Sequence, residues 1–254
     1  MNPIEHLVLF LVSLVANTFS AFSGGGAGLI QFPVLIFLGL SFSIALATHK
    51  VASVALGLGA VLRYMSTNRL ERQFVLLIII AGVPGVILGG YWILFVPDKL
   101  AILALGVLTG GLGIFSIVKP TLGQDYTPQH RDRTATLYGG IVLFLLGILN
   151  GSLTSGTGLF VTLWLVIWFG MDYQRAVAYT LILVGVFWNG AGAITLGLLS
   201  EIHWQWLPAL LLGSLIGGYF GSHLAIKHGN RLIKRAFEVV TLLISIKLIW
   251  VSLA

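Results

Sequence analysis

Two glycine-rich stretches and one isolated lysine carry the residues that could do chemistry in this sequence. The first stretch runs from Phe22 to Pro33 and contains Gly24, Gly25, Gly26, Gly28 and Gln31. Because a glycine costs about 1 kcal/mol in a helix interior, this cluster predicts unwound backbone and a new helix that begins near Ala27. The first amides of a helix are unpaired and lie at the positive end of its dipole. The stretch therefore predicts an anion site, with close packing of membrane helices as the alternative use of the glycines.

The second stretch lies about half a chain later and repeats the character of the first. It runs from Asn150 to Gly158 and ends in the same glycine-x-glycine pattern. Hydroxyl and amide groups replace some of the glycines, and each could donate a hydrogen bond to a substrate oxygen. Packing between membrane helices is the alternative role for each of them. The candidate residues, including two on the following apolar segment, are Asn150, Ser152, Thr154, Ser155, Gly156, Thr157, Trp188 and Asn189.

Lys50 is the most unusual charged residue, because the sequence around it is otherwise uncharged and mostly small or apolar. A lysine within such a segment is costly unless it faces a cavity or a partner. We expect Lys50 to supply positive charge to an anion held at the glycine-rich break, with Thr48 and His49 as neighbouring donors. The alternative is a lysine whose long side chain reaches water at the membrane interface.

Three further readings concern proton transfer and catalysis. His49 could carry a proton, since free imidazole titrates near neutral pH, or it could be a hydrogen-bonded structural histidine. None of the eight carboxylates lies clearly in the middle of an apolar segment, which gives little support to a buried acidic ion site. An intramembrane serine hydrolase would need Ser152 or Ser155 beside His223, although no nucleophile motif surrounds either serine. No nucleotide or zinc motif is present, and we expect no cofactor and no metal.

The composition requires a membrane protein. Of the 254 residues, 57% are hydrophobic and 9% are charged, and the mean hydropathy is +1.01, whereas a soluble domain has roughly 25% charged residues. The apolar stretches are long enough for helices and lack the alternation of a barrel, so an all-α polytopic bundle in the lipid bilayer is predicted. The formal charge of +6 does not indicate nucleic-acid binding, because the basic residues lie in short loops between apolar segments.

The elements that must position the candidate residues are apolar segments. Ten of them cover residues 4–22, 27–40, 44–64, 74–96, 99–118, 135–149, 157–169, 176–199, 206–226 and 236–253. Segments 27–40 and 157–169 would reach only about 20 Å at 1.5 Å per residue, against a hydrocarbon core of about 30 Å. We therefore expect both to be broken or re-entrant half-helices that follow the glycine-rich breaks.

The two halves of the chain match in order, which predicts an internal duplication. Gly26 and Gly28 align with Gly156 and Gly158, and the offset grows from 130 to 132 along the chain. The first repeat is residues 1–118 and the second, inverted repeat is residues 135–254. Residues 119–134 form a polar cytoplasmic linker, interpreted as a plain connector.

Basic residues predict the orientation of the bundle. Three clusters, near Arg63, Lys119 and Arg231, fall on one side when the segments are counted as above. Since basic loops stay in the cytoplasm, both termini are expected outside. Gly-x-x-x-Gly spacings that begin at Gly85, Gly106 and Gly217 predict close helix crossings, within the bundle or between the subunits of a homodimer.

Together these features resemble the TauE/SafE family of membrane transporters, also called the sulfite exporter family. The resemblance covers nearly the full length and rests on Gly24-Gly25-Gly26-Ala27-Gly28 with Pro33, on Ala47-Thr48-His49-Lys50 and on Gly156-Thr157-Gly158. It implies transport of a small sulfur-containing anion, such as sulfite, thiosulfate or an organosulfonate of the sulfoacetate type, across a bacterial inner membrane. The second motif departs from the family in its serines and threonines and in having no proline at the matching Leu163, which leaves the substrate open.

A secondary transporter of a small anion is the leading hypothesis. In it, half-helix N-termini and Lys50 hold the substrate while the two halves of the chain rock around it. An anion channel is the alternative, and it would give current instead of saturable, counter-ion-dependent flux. The duplicated broken helices favour the carrier.

Overall fold

A computed structural model describes residues 3–65, 70–92, 98–153 and 156–253, and the regular structure in these ranges is helical. This confirms the all-α fold predicted from composition. In chain order the elements are α1 (Pro3–Ser23), a 3₁₀ turn (Ala27–Leu29), α2 (Gln31–Phe37), α3 (Phe42–Tyr64), α4 (Arg72–Trp92), α5 (Asp98–Val118), α6 (Arg133–Leu153), α7 (Thr157–Phe169), α8 (Tyr173–Tyr179), a π-helical segment (Thr180–Trp188), α9 (Asn189–Leu199), a second 3₁₀ turn (Trp204–Trp206) and α10 (Leu207–Leu253).

The protein is a polytopic membrane protein. By length and composition, five helices of the described chain can cross a membrane: α1, α3, α4, α6 and the continuous helix Tyr173–Leu199. Large hydrophobic side chains such as Phe19, Leu62, Ile80 and Leu198 are each more than half exposed on outward helix faces. Such a surface is suited to lipid, where apolar side chains need no cover.

Both predicted breaks are present. After α1 the backbone φ angles are 89° at Gly24, 147° at Gly25 and 105° at Gly26, a region that glycine enters without the penalty other residues meet. The second break has φ 78° at Gly156, and α7 begins at the next residue. The predicted half-helix 157–169 is confirmed residue for residue. The first half-helix differs, because it starts as a 3₁₀ turn and its α-helical part is only Gln31–Phe37.

The last two predicted segments are the two arms of α10, Leu207–Leu253, which are separate helices joined at a kink at Gly229 (φ 75°, ψ −179°). The basic stretch around 227–235, expected to be a loop, is helical on both sides of this kink. Within this stretch, Lys234 donates to the backbone oxygen of Ser116 and pairs with Glu238 one turn later. These contacts tie the second arm of α10 to the end of α5.

Glycine seams explain how the helices approach one another. A Cβ on Gly85 or Gly89 of α4 would collide with carbonyl oxygens of α6, and a Cβ on Gly147 or Gly151 of α6 would collide with α4 in the same way. The first arm of α10 meets α1 through Gly213, Gly217 and Gly221. Backbones can come this close only where no side chain intervenes. The predicted crossings are therefore used within one chain, and a homodimer stays a prediction.

The linker packs against the second half of the chain. Thr127 donates its N–H to Gly170 O at 2.9 Å, and Tyr173 donates its N–H to Gly123 O at 2.9 Å. His130 stacks on Trp168 with ring centroids 4.2 Å apart. These contacts hold the linker against α7 and α8, and its interpretation as a plain connector stays a prediction.

The basic clusters lie together at one end of the bundle. Arg63 Nε donates to His223 Nδ1 at 3.1 Å, and Arg131 donates to Glu71 Oε2 at 2.7 Å. Tyr126 also donates to Glu71, at 2.9 Å. Partial burial alone would raise the pKa of Glu71, but the hydrogen bonds from Arg131 and Tyr126 outweigh it and lower the pKa. The pair therefore joins the α3–α4 connection to the linker at neutral pH.

Candidate functional site

The two glycine-rich breaks touch each other. A Cβ on Gly25 would lie 2.6 Å from the backbone nitrogen of Leu159 and 2.8 Å from the carbonyl carbon of Gly158. Thr162 of α7 donates its hydroxyl to Gly24 O at 2.8 Å. Only a glycine fits at Gly25, because both its left-handed backbone and this contact exclude a side chain. The first break is thus held directly against the start of α7.

A cavity of about 40 Å³ lies where the breaks meet. It is bounded by the end of α1, the first break, α3, the end of α6, the start of α7, the π-helical segment and the start of α9. None of its described lining residues is acidic. They are Ser20, Gly25, Gly26, Ala27, Gly28, His49, Ser53, Leu56, Asn150, Thr157, Gly158, Thr180, Leu181, Val184, Gly185 and Asn189.

Lys50 lies behind the wall of this cavity. Its side chain is fully buried, which rules out the alternative of a lysine that reaches interfacial water. Nζ donates to Asn150 O at 2.7 Å, to Asn150 Oδ1 at 2.6 Å and to Asn189 Oδ1 at 3.0 Å. Three donors meet three oxygens, as the ammonium form requires. Lys50 is not among the lining residues, so its charge would act on a bound anion through the two asparagines.

Lys50 also orients the asparagines. Because Lys50 takes the side-chain oxygens of Asn150 and Asn189, the donor NH₂ sides of the two amides are left for other partners. Asn150 Nδ2 donates to Thr157 Oγ1 at 2.8 Å, and Asn189 lines the cavity. The lysine therefore converts two ambivalent amides into hydrogen-bond donors.

The start of α7 faces the same cavity. Gly156 precedes the helix, and Thr157 and Gly158 line the cavity. α7 has 13 residues, so the dipoles of several turns add at this end. The positive end of such a dipole favours an anion in the cavity.

His49 lines the cavity and is bonded on both ring nitrogens. Its Nδ1 lies 3.2 Å from Gln31 Oε1, and its Nε2 lies 3.2 Å from Ser53 Oγ. Gln31 is itself fully buried and contacts Asn17 and Ser13 of α1. A polar chain therefore leads from the cavity wall at Ser53, through His49, to α1.

Several predicted residues lie away from the cavity. Thr48 Oγ1 accepts the N–H of His203 at 3.0 Å, which fixes the connection after α9. Trp188 is fully buried and donates to Ile78 O at 2.9 Å, with its indole against Gly82 of α4. Gln31, Gly24 and Gly156 support the lining residues from behind.

The serine hydrolase alternative gains no support. Ser152 donates to Ile148 O of its own helix at 2.9 Å, away from the cavity. His223 is exposed and accepts from Arg63 at the basic end of the bundle. The other two candidates of this stretch, Ser155 and Thr154, lie outside the described residues.

Five lining residues with polar or glycine character were not among the sequence candidates: Ser20, Ser53, Gly158, Thr180 and Gly185. Ser20 precedes the first break at the position that Asn150 holds before the second, and Thr180 matches His49 at an offset of 131. Ser53 lies one helical turn after His49, and Gly158 closes the second motif. The duplication could have identified Ser20 and Thr180. The π-helical segment, which widens the helix at the cavity, has no signal that we recognise in the sequence.

A second cavity of about 310 Å³ adjoins the first on the outward side of α1. The two share Ser20, Gly25 and Gly26, so little more than these residues separates them. Its walls are otherwise mainly apolar and come from α1 and the second arm of α10. One cation lies in it among the described residues: Lys247, which donates to Leu29 O at 3.2 Å.

Comparison with known proteins gives one family and several relatives. A family model described as "Sulfite exporter TauE/SafE" matches residues 9–248. A "Probable membrane transporter protein" of Haemophilus influenzae is 26% identical over 244 residues, covering 96% of this chain and 94% of the relative. YfcA of Escherichia coli K12 is 25% identical over 257 residues, covering 99% of this chain and 92% of the relative. YunE of Bacillus subtilis is 22% identical over 272 residues, covering 97% of this chain and 98% of the relative. Both carry the name of probable membrane transporter proteins.

Proposed function

The chain belongs to the sulfite exporter TauE/SafE family of membrane transporters, and we propose that it carries a small sulfur oxyanion through the cavity between its two glycine-rich breaks. The observation that carries the proposal is the buried Lys50 ammonium behind the wall of a cavity whose described lining has no acidic residue. A buried charge within a membrane segment is costly and marks a substrate pathway by default.

The charge of Lys50 is sufficient to favour an anion. With one asparagine amide between them, the ammonium and a bound anion are separated by about 7 Å. At an effective dielectric constant of 20, the attraction over that distance is about 2 kcal/mol. The N-terminus of α7 adds a contribution of typically 0.3–1 kcal/mol, and more where it is partly buried.

The size of the cavity supports a compact substrate. A volume of about 40 Å³ is a small multiple of the roughly 10–15 Å³ that a cavity needs to hold one water. An inorganic oxyanion such as sulfite needs the least enlargement, and thiosulfate needs little more. An organosulfonate of the sulfoacetate type also carries carbon and a second acidic group, so the cavity would have to open further. We therefore rank sulfite first among the substrates.

A carrier mechanism is supported by the closed contact between the breaks. Gly25 and Gly158 are in backbone contact, and we propose that an anion passes when these segments move apart. Discontinuous helices around a central site are the usual parts of such carriers. We propose that the basic end is cytoplasmic in a bacterial inner membrane, with both termini outside and the halves 1–118 and 135–254 as inverted repeats.

Exchange of labelled sulfite in proteoliposomes tests the proposal. Vesicles preloaded with unlabelled sulfite should accumulate external ³⁵S-sulfite with saturation, because a carrier exchanges substrate across the membrane. Thr157→Val should markedly raise the sulfite concentration that gives half-maximal exchange, since it removes a hydroxyl at the cavity wall. Thr195→Val is the matched control, because Thr195 is also buried in a helix but donates to Ala191 O outside the cavity.

Two results would count against the proposal. Flux that grows linearly with sulfite, together with current in planar bilayers, would favour the channel. Saturable exchange that Thr157→Val and Thr195→Val affect equally would move the substrate site away from this cavity.

A further inference from the structure

His49 is a titratable side chain at the cavity wall that the proposed transport step has not used. Among the described residues that line the cavity, it is the one whose side chain can gain or lose a proton as part of ordinary acid–base chemistry. The ring is buried, so the cavity is its route to water. A proton bound there would enter and leave by the same space as the substrate.

The hydrogen bonds of His49 define its neutral tautomer. Gln31 Oε1 accepts from Asn17 Nδ2 at 3.3 Å, while Gln31 Nε2 donates to Ser13 Oγ at 3.3 Å. The side of Gln31 that faces His49 Nδ1 is therefore an acceptor, and Nδ1 must carry the hydrogen. His49 Nε2 is then the unprotonated nitrogen and accepts from the hydroxyl of Ser53.

Protonation of Nε2 would change the cavity as well as the ring. An imidazolium donates from both nitrogens, so Ser53 would become the acceptor of the bond from Nε2. Ser53 itself lines the cavity, and its hydroxyl hydrogen would turn toward the space where the anion lies. One proton thus adds a positive charge and a new donor to the site.

The surroundings do not stabilise an imidazolium unless an anion is present. Lys50 follows His49 on the same helix and is the nearby charge; the other titratable neighbour is His203, whose backbone N–H bonds Thr48. The described groups that contact His49 or line the cavity from the other elements are all uncharged. They include Phe32 and Gln31 of the first half-helix, Asn150 of α6, Thr157 of α7, Thr180 of the π-helical segment and Asn189 of α9.

We propose that His49 takes up a proton together with the anion, so that the carrier is a proton–anion symporter. The inference rests on the proposed anion site, because the anion supplies the charge that the imidazolium lacks. If anion binding favours the proton, linkage requires the proton to favour the anion equally. The proton comes from the side on which the anion enters and leaves Nε2 when the anion departs. The empty carrier then returns with a neutral ring.

The test compares exchange with accumulation in the same proteoliposomes. Wild-type vesicles with a more acidic exterior should accumulate ³⁵S-sulfite above the external level, by up to about tenfold per pH unit for one proton and one charge. His49→Gln should lose the accumulation attributable to the protein, and its sulfite exchange should need a higher sulfite concentration for half-saturation, because the bound anion no longer meets an imidazolium. Sulfite's own protonation affects both proteins and protein-free vesicles alike, so the difference between variants reports the imidazole.

Two controls separate the proton from the fold. His223→Gln changes an exposed histidine at the basic end and should behave as wild type. Ser53→Ala keeps the imidazole, so it should retain accumulation but need a higher sulfite concentration for half-saturation. Wild-type exchange without pH-driven accumulation, or full accumulation in His49→Gln, would overturn the inference and leave the anion carrier standing. Absence of exchange in wild type would overturn the proposed function itself.

Discussion

Lys50→Met keeps the length of the apolar stem and removes the ammonium. The change deprives three oxygens, two on Asn150 and one on Asn189, of their donor. An unsatisfied buried acceptor costs about 1–3 kcal/mol, so the loss at the lower end is about 3 kcal/mol. In a chain of this size about 1 kcal/mol moves Tm by roughly 2–4 °C, and a fall of roughly 6–12 °C is expected.

The same change should weaken the anion site. Losing an attraction of about 2 kcal/mol corresponds to an affinity about 30-fold lower. The assays are thermal unfolding of the purified protein and the half-saturation of ³⁵S-sulfite exchange. Lys227→Met is the matched control, because Lys227 is exposed on α10 and should alter neither quantity. An unchanged Tm together with unchanged half-saturation in Lys50→Met would refute both the hydrogen bonding and the electrostatic role described here.

Three further variants test the elements that hold the site. Gly25→Ala should lower stability by more than about 2 kcal/mol, since φ is 147° and a backbone nitrogen lies 2.6 Å from the new Cβ. Gly111→Ala is the control and should leave stability unchanged, because the new Cβ has open space. Equal Tm values for the two variants would contradict the close contact at Gly25. Asp172→Ala should lower stability by about 1 kcal/mol, because the Asp172 carboxylate caps α8 by accepting the N–H of Arg175 at 2.9 Å. Asp172→Asn should retain most of this stability, and a loss as large as that of Asp172→Ala would argue against the cap. Although partial burial opposes it, hydrogen bonding keeps the pKa of Glu71 low, so its pair with Arg131 stabilises at neutral pH and is lost as the pH falls through that lowered value. Glu71→Gln should thus lower the free energy of unfolding at neutral pH by no more than about 1 kcal/mol, because the pair is so exposed. The Tm values of the two proteins should converge in acid, and a difference that stays constant with pH would exclude the ionic contribution.

Local chemistry in the sequence predicted the parts of the fold that depend on single residue types. Glycine at Gly24, Gly25, Gly26 and Gly156 has the backbone freedom that the breaks use, and the apolar length of 157–169 gave the half-helix its bounds. These features depend on residues that are close in the sequence, so the sequence alone predicts them.

The partners of polar side chains were beyond such a reading. Lys50 was expected to touch the anion, but its three oxygens come from residues 100 and 139 positions away. Trp188 was taken as a site residue, although its indole fills the space left by Gly82 on α4. The order of apolar segments does not say which helix faces pack together. The packing of those faces determines whether a polar side chain lines the cavity or lies behind the residues that line it.

Anomalous diffraction from crystals grown with selenite would test the central claim most directly. Selenite has the shape and charge of sulfite and scatters anomalously, and the chain has no cysteine that could reduce it. We expect a peak between Gly25, Thr157 and Asn189, within about 3.5 Å of a hydrogen-bond donor. A cavity that stays empty at selenite concentrations that inhibit sulfite exchange, with the peak elsewhere on the protein, would contradict it.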